Sequence, residues 1–450
     1  PGTAAVYIYL EGMEDGRGLL EVAAKATKPI FLHLANVGPE TAAIAQSHTA
    51  SLSTDERVLE AACRHSRIIR VKTQSEFLNA VKLVDQPPVN GNRLVVFSRS
   101  GGEAVVAAYA CRQFGFTLPT LSETLVQDIK ARSRAGVIHP DNPIDLGDIF
   151  DLSVYSDIMA AVCQDPEVDA VLFHYGPIAD FERQAAQEMA RRMVELAREA
   201  QKPLAITVIC TPEDEDFLRD TLGVPVFHFP EDAVAALAVS RDLAARGEIL
   251  SPPAPPPMPS AATIAETLAD PNPEGFLPLA QALTVIESLG ISLAPWQAAA
   301  TPEEAAVAAG RLGFPVVLKL SAPSLIHKTD AGAVELDLHD AAAVQQAFGK
   351  LAQVARSLLP PREAWQVVVM SQVAGGLELL LGARRDDSFG PVVAFGAGGV
   401  DTEILDDVAL RLAPLNPGQA WDLMAETRIG RILAGTRGRP PADLDSLSRA

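Results

Sequence analysis

Two α/β domains with parallel sheets, followed by an α+β domain, are what this sequence predicts, and three observations support that reading. Short apolar runs alternate with amphipathic helical stretches over the first 247 residues. A proline-rich segment then interrupts the chain at Ser251-Pro-Pro-Ala-Pro-Pro-Pro-Met-Pro259. After it, short strands follow one another with few helices between them. Strands that alternate with helices imply parallel sheets covered on both faces. At 450 residues the chain has room for about three domains of roughly 100–200 residues each. A hydrophobic content of 48% with 21% charged residues is a globular composition.

In the first part the expected strands are residues 6–10, 29–34, 68–71, 94–97, 170–173, 204–209 and 224–227. Ser53-Thr-Asp-Glu56 reads as a capping box that opens a helix. Thr211-Pro212-Glu213 reads as an N-cap followed by proline at the first helical position. A break near residues 85–91 divides this part into one flavodoxin-like domain over 1–86 and a second over 87–248. Residues 249–262 are a linker, because consecutive prolines form a stiff extended spacer. The third domain occupies 263–450. Thr301-Pro-Glu-Glu304 caps a helix that ends near Gly313. Strands at 316–319, 333–338, 365–370, 377–383 and 392–395 complete it.

The net charge of −20 argues against nucleic acid or an anionic membrane as the main partner. No apolar run approaches the ~20 residues of a membrane span, and no signal peptide is visible. The four cysteines, Cys63, Cys111, Cys163 and Cys210, are far apart and form no CxxC pair. They read as plain buried thiols in a reducing cytoplasm. No residue set is assigned to a metal.

Candidate chemistry gathers at strand ends. The first strand runs into Glu11 and Gly12, and the second is followed by a polar loop with Gln46-Ser47-His48-Thr49. Adjacent parallel strands send their C-terminal loops out at the same edge, where ligands sit in such sheets. Glu11 can therefore meet His48, fix its tautomer and leave the other ring nitrogen as nucleophile. A solvated loop histidine is the plainer alternative. His33 and His174, within and at the end of strands, read as packing or hydrogen-bonded residues. Ser98-Arg-Ser-Gly-Gly102 is a small-residue turn between a strand and a helix over 104–114. Ser98, Ser100, Gly101 and Gly102 then offer backbone N–H groups and a positive helix end to an anion; an ordinary tight turn is the alternative.

In the third domain a buried strand is expected to end on Lys319, and a buried ammonium needs a charge to pair with it. A nucleotide phosphate fits. The loop 324–334 contains His327-Lys328-Thr329-Asp330. Beyond a further strand come Gln372 in a hinge and the carboxylate of Glu378, which with Lys319 make a nucleotide-binding set. A glycine-rich acidic stretch follows at Phe395-Gly-Ala-Gly-Gly-Val-Asp-Thr-Glu403.

Taken in order, these residues resemble the ADP-forming acyl-CoA synthetases, relatives of succinyl-CoA synthetase. The resemblance lies in Ser47-His-Thr-Ala-Ser-Leu52, Glu11, Ser98–Gly102 and Asp141-Asn-Pro-Ile-Asp-Leu146 in the first part. In the second it lies in Val317-Leu-Lys319, His327-Lys-Thr-Asp-Ala-Gly332, Phe389-Gly-Pro-Val-Val-Ala-Phe-Gly396 and Leu410-Arg-Leu-Ala-Pro-Leu415, which look like an ATP-grasp domain. It covers nearly the whole chain. It implies a ligase that joins a carboxylic acid to CoA at the expense of ATP. His48 carries the phosphoryl group, Glu11 orients it, and His327 belongs to the catalytic set. ATP/ADP, magnesium and CoA are the implied cofactors and substrates. Residues 28–36 and the Ser98–Gly102 variant look most like the branch acting on feruloyl-type acids. A short-chain acid such as acetate is the runner-up, and a non-catalytic acyl-CoA or nucleotide sensor is the alternative of another class.

There are departures from the family pattern. Gly332-Ala333 stands where two glycines are usual. The family's N-terminal CoA-binding domain, the helix before the Glu11 strand and the final acidic segment with magnesium ligands are not seen. The sequence therefore reads as incomplete at both ends. A homo-oligomer or further domains on the same chain are the expected company.

Overall fold

The computed structural model describes residues 2–37, 54–64, 66–134, 139–177, 180–245, 276–325, 331–399, 402–436 and 438–449. Pro1–Ser251, Leu381–Ala394 and Leu410–Ala413 form one compact unit; Pro252–Leu380, Phe395–Ala409 and Pro414–Ala450 form another.

The first unit holds two parallel sheets. In the smaller, β1 (Val6–Leu10), β2 (Ile30–Leu34) and β3 (Ile68–Arg70) lie in sequence order. Ile30, Leu32, Leu34 and Ile68 are buried with Val58, Leu59 and Ala62 of helix Glu56–Arg64. Phe31 and Ile69 face the other way, towards Phe77 and Val239. Burial on both faces explains why β2 and the start of β3 are continuous apolar runs, whereas β1 at the edge is partly exposed. Phe389 and Val392 close the first core, and Arg17 donates to the carbonyls of Phe389 (2.5 Å) and Ala413 (2.6 Å).

The larger sheet contains β4 (Leu94–Ser98), β5 (Ile144–Asp145), β6 (Ala170–Tyr175), β7 (Leu204–Val208) and β8 (Val226–Phe227), in the order β5-β4-β6-β7-β8. All four pairings are parallel. This is the flavodoxin order, with its crevice where the connections reverse direction, between β4 and β6. Alternation along β4 and β6 sends Val95, Phe97, Val171, Phe173 and Tyr175 into one core, and Leu94, Val96, Ala170 and Leu172 into the other. A cavity of about 330 Å³, lined by Lys28, Arg67, Ser240 and Leu243 among others, lies at the amino ends of β2 and β3, the edge opposite the expected chemistry.

In the second unit β9 (Trp296–Ala299), β10 (Val316–Ser321), β11 (Val334–Leu338) and β12 (Gln366–Ser371) form an antiparallel sheet ordered β11-β10-β12-β9. Helices Pro302–Leu312 and Ala341–Leu358 cover one face through Ala305, Ala309, Val344, Phe348 and Leu351. A further sheet, most of whose residues belong to the first unit, is ordered β13 (Leu379–Asp386), β14 (Gly390–Ala397), β15 (Val408–Leu412). The sequence therefore predicts the class correctly: parallel α/β first, α+β second; the antiparallel pairing of the second part is added by the structure.

Several local expectations change. Helix Gly101–Gln113 starts three residues earlier than predicted, because the Ser100 side chain caps it by accepting the Glu103 N–H. Strand β10 does not end on Lys319; Leu320 and Ser321 continue the pairing with Val367 and Gln366. Ser53 of the predicted capping box lies outside the described residues, and Asp55 Oδ1 accepts the Arg57 N–H instead. The caps at Thr211 and Thr301 are present as predicted. Strands β5, β9 and β15 were not anticipated. Among the described residues, no helix is long and apolar enough to cross a membrane.

Candidate functional site

Strand β1 delivers Glu11 to the carboxyl edge of its sheet. Leu10 pairs with Leu34 in parallel register, and the Ala35 N–H donates to the Leu10 carbonyl. The loop that leaves β2 therefore starts beside Glu11. Tyr9 donates its hydroxyl to Glu11 Oε1 at 3.4 Å, and Glu11 is exposed. His48 and residues 38–53 of that loop lie outside the described residues, as does His327.

The turn Ser98–Gly102 has the form of an anion cradle. Ser98 is buried and its hydroxyl ties the turn, accepting the Ser100 N–H at 3.0 Å and donating to the Ser100 carbonyl at 2.8 Å. Gly101 and Gly102 are exposed in the first helical turn. A Cβ on Gly101 would lie 3.3 Å from Asp145 Oδ2, so glycine keeps the approach to the helix end open.

Two constellations at this edge escape sequence reasoning. Asp145 pairs with Ser98, and His174 with Thr207; continuing the β4–β6 register places Ser98 beside His174. The result is one polar row, Asp145, Ser98, His174 and Thr207. His174 Nδ1 lies 3.0 Å from Thr207 Oγ1, and burial lowers the imidazole pKa. The hydrogen-bonded role expected for His174 is met. On the opposite face Arg99 pairs with Glu182 at 3.2 Å, with side chains 4% and 11% exposed. A charged residue directly after an apolar strand was the available signal for Arg99; nothing in spacing points to Glu182. After β7, buried Asp214 accepts from Gln187 and Thr211, both at 3.0 Å, and holds that loop.

In the second unit Lys319 is half-buried, on the face of β10 away from Val316, Leu318 and Leu320. It has no ion-pair partner among the described residues. Gln372 donates to Asp337 Oδ1 (2.6 Å) and accepts the Asp337 N–H (2.9 Å). Its own N–H donates to the Pro315 carbonyl. Lys319 is four residues along β10 from Pro315, roughly 13 Å at 3.3 Å per residue. Gln372 thus clamps one end of the sheet while Lys319 stands well inside it. Glu378 is exposed, and its carbonyl accepts the Gly398 N–H at 2.8 Å. A Cβ on Gly399 would lie 2.8 Å from Glu378 Oε2, so the carboxylate borders the glycine-rich stretch.

Among the described residues no three His, Cys, Asp or Glu side chains cluster to hold a metal. Cys63, Cys111 and Cys163 are buried and Cys210 half-buried, all as free thiols. Burial pushes Cys111 up to about 12 and Cys163 and Cys210 up to about 11, which makes them inert packing groups.

Comparison with known proteins agrees with this arrangement. Residues 1–84 match the model of the succinyl-CoA ligase like flavodoxin domain, and residues 270–450 that of an ATP-grasp domain. An ADP-forming acetate–CoA ligase I of Archaeoglobus fulgidus is 32% identical over 465 residues, covering 99% of this chain and 64% of that protein. The beta subunit of ADP-forming acetate–CoA ligase I of Pyrococcus furiosus is 36% identical over 168 residues, 37% of this chain and 72% of the subunit. A trans-feruloyl-CoA synthase from an unknown prokaryotic organism is 26% identical over 465 residues, 99% of this chain and 63% of that protein. The chain thus spans somewhat under two thirds of its long relatives. With its two domain matches in order and this identity to a subunit it largely covers, the chain belongs to the family of ADP-forming acyl-CoA synthetases.

Proposed function

We propose that this chain provides the phosphohistidine and nucleotide-binding parts of an ADP-forming acid–CoA ligase: carboxylic acid + CoA + ATP give acyl-CoA + ADP + phosphate. The observation behind this reading is the placement of Glu11 at the carboxyl end of β1, beside the start of the loop that contains His48. A His48 ring nitrogen attacks the γ-phosphorus of ATP and ADP departs. The acid's carboxylate then takes the phosphoryl group from His48, and CoA displaces phosphate from the acyl phosphate. Glu11 accepts a hydrogen bond from the other ring nitrogen and stabilises the charged ring. The Ser98 hydroxyl takes up the Ser100 N–H and so shapes the turn, and the Gly101 and Gly102 N–H groups with the Ser100 hydroxyl receive the phosphoryl oxygens. Lys319 neutralises triphosphate charge, Gln372 and Glu378 border the nucleotide, and His327 belongs to the transfer path.

The residues present fit a nucleotide: a half-buried Lys319 without an ion-pair partner among the described residues suits a polyphosphate, and an exposed Glu378 suits a ribose or amine. Magnesium, when bound, offsets phosphate charge during transfer; no residue is assigned to it. The four free thiols suit a reducing cytoplasm. Further domains or a partner chain complete the assembly, as the separate alpha and beta subunits among the relatives suggest.

Two acids are in view. Residues 28–36 and 98–102 favour a hydroxycinnamate, whereas identity of 32% to an acetate ligase against 26% to the feruloyl enzyme favours a short-chain acid. The experiment is ADP release with ferulate and acetate in parallel, using the complete enzyme, together with mass spectrometry of His48 under conditions that preserve phosphohistidine. Absence of phosphate on His48 during turnover would sink the mechanism.

A further inference from the structure

Arg99 leaves β4 at the β4/β6 crevice and turns to the face of the sheet that carries Val95, Phe97, Phe173 and Tyr175. Its Nη1 pairs with Glu182, and its guanidinium carbon lies 5.9 Å from the centre of the Tyr155 ring. Nε and Nη2 are buried and have no hydrogen-bond partner among the described residues; the hydroxyl of Tyr175, one strand over on the same face, has none there either. Buried donors are nearly always met by an acceptor, and a guanidinium is the donor least able to lose its protons. The Nε and Nη2 hydrogens point out in parallel along one edge. That edge matches two oxygens of a carboxylate or phosphate, and low local dielectric strengthens the match.

We propose that the Nε/Nη2 edge of Arg99 is an oxyanion-recognition site, taking the carboxylate of the acid substrate or a phosphate group at the β4/β6 crevice. Glu182 occupies the opposite corner of the guanidinium and fixes its plane. The loops after β5 and β6, which leave the same carboxyl edge of the sheet, carry the exposed rings of Phe150 and Phe181. Arg99 is distinct from the backbone cradle of Gly101 and Gly102, which lies at the start of the helix. The inference rests on the ligase reading only for the choice of probes.

The test is an NMR titration of the whole chain with acetate, ferulate and inorganic phosphate, following the Arg99 Nε–H signal, assigned by its loss in Arg99→Lys. A saturable shift with acetate or ferulate identifies the acid as ligand; a shift with phosphate alone identifies a phosphoryl group. Arg99→Met should weaken that binding about tenfold or more. Glu182→Gln should tighten it, because a competing carboxylate charge is removed. A purely structural ion pair would instead make the two variants act in the same direction. That result, or a signal that none of the three probes moves, overturns the proposal. If Arg99→Met does not fold, the titration and Glu182→Gln still decide. Neither readout needs turnover, so failure here is separable from failure of the ligase reading.

Discussion

A carboxylate that holds an imidazole by one nitrogen decides which nitrogen is left to attack phosphorus, and that division of labour makes Glu11 and His48 separately testable. With His48→Ala, no phosphoryl group should appear on the chain after incubation with γ-labelled ATP, while ATP affinity stays unchanged. Glu11→Gln keeps the shape and removes the charge that stabilises the ring, so labelling should slow by roughly 10²- to 10⁴-fold with the ATP dissociation constant unaltered. A Glu11→Gln variant that labels at the normal rate would remove Glu11 from the mechanism. Lys319 is proposed for binding. Hydrogen bonds to charged groups are worth about 1.5–3 kcal/mol, so Lys319→Ala should weaken ATP binding roughly ten- to a hundredfold by calorimetry, with circular dichroism unchanged. An unaltered dissociation constant would withdraw Lys319 from the nucleotide set.

At the scale of elements, one tie across the larger sheet shows how a local charge supports the architecture. Arg93, which precedes β4, donates from Nε and Nη2 to the two oxygens of Asp169, which precedes β6, and the Arg93 N–H donates to the same carboxylate. A Cβ on Gly91 would lie 2.2 Å from Asp169 Oδ2, so only glycine leaves room. The hydrogen bonds from Arg93 lower the Asp169 pKa. The unfolded carboxyl, near its ordinary value of about 3.9, therefore binds a proton before the folded one does. The stabilisation is full at neutral pH and fades as the pH falls below about 4. Asp169→Asn should lower the thermal midpoint by several degrees at pH 7, and the gap to wild type should shrink towards pH 3; a gap independent of pH would assign the effect to packing. Such ties also explain what was legible beforehand. Strands β2, β4, β6 and β7 are buried on both faces, so each stands out as an apolar run. Strand β5 has two residues and no period. The Asn142 side chain secures the chain beside it, accepting from the Val96 N–H (3.0 Å) and donating to the Leu94 carbonyl (2.9 Å). A contact made by one amide across 46 positions leaves no trace in hydrophobic patterning. Glu11 and the Ser98–Gly102 turn were readable because strand ends are where such sheets place ligands. The Arg99–Glu182 pair was not, because its partners meet only after β4 and β6 have paired.

For the molecule as a whole, strand order and charge lead to different consequences. The order β5-β4-β6-β7-β8 brings Ser98, Arg99 and His174 to one crevice, an outcome set by topology that no stretch of sequence contains. Charge is set by composition alone. With 57 acidic against 37 basic residues the net charge is −20, yet the substrates of the proposed ligase, ATP, CoA and the acid, are all anions. The far field therefore opposes substrate approach, and only the local groups, Lys319 and the helix end after Ser98 among them, favour it. Salt separates these contributions. At 10 mM ionic strength charges act over about 30 Å, so the whole surface repels; at 0.15 M they act over about 8 Å, and the nearby groups dominate. The association rate of a fluorescent ATP analogue should accordingly rise several-fold between those conditions, the reverse of ordinary electrostatic steering. Stopped-flow mixing over that range measures it directly. A rate that falls with salt would mean that the cleft focuses positive potential strongly enough to outweigh the rest of the surface. In that case reversing acidic charges far from the cleft should leave association unchanged, whereas under the expected behaviour each reversal should speed it at low salt and lose its effect at high salt.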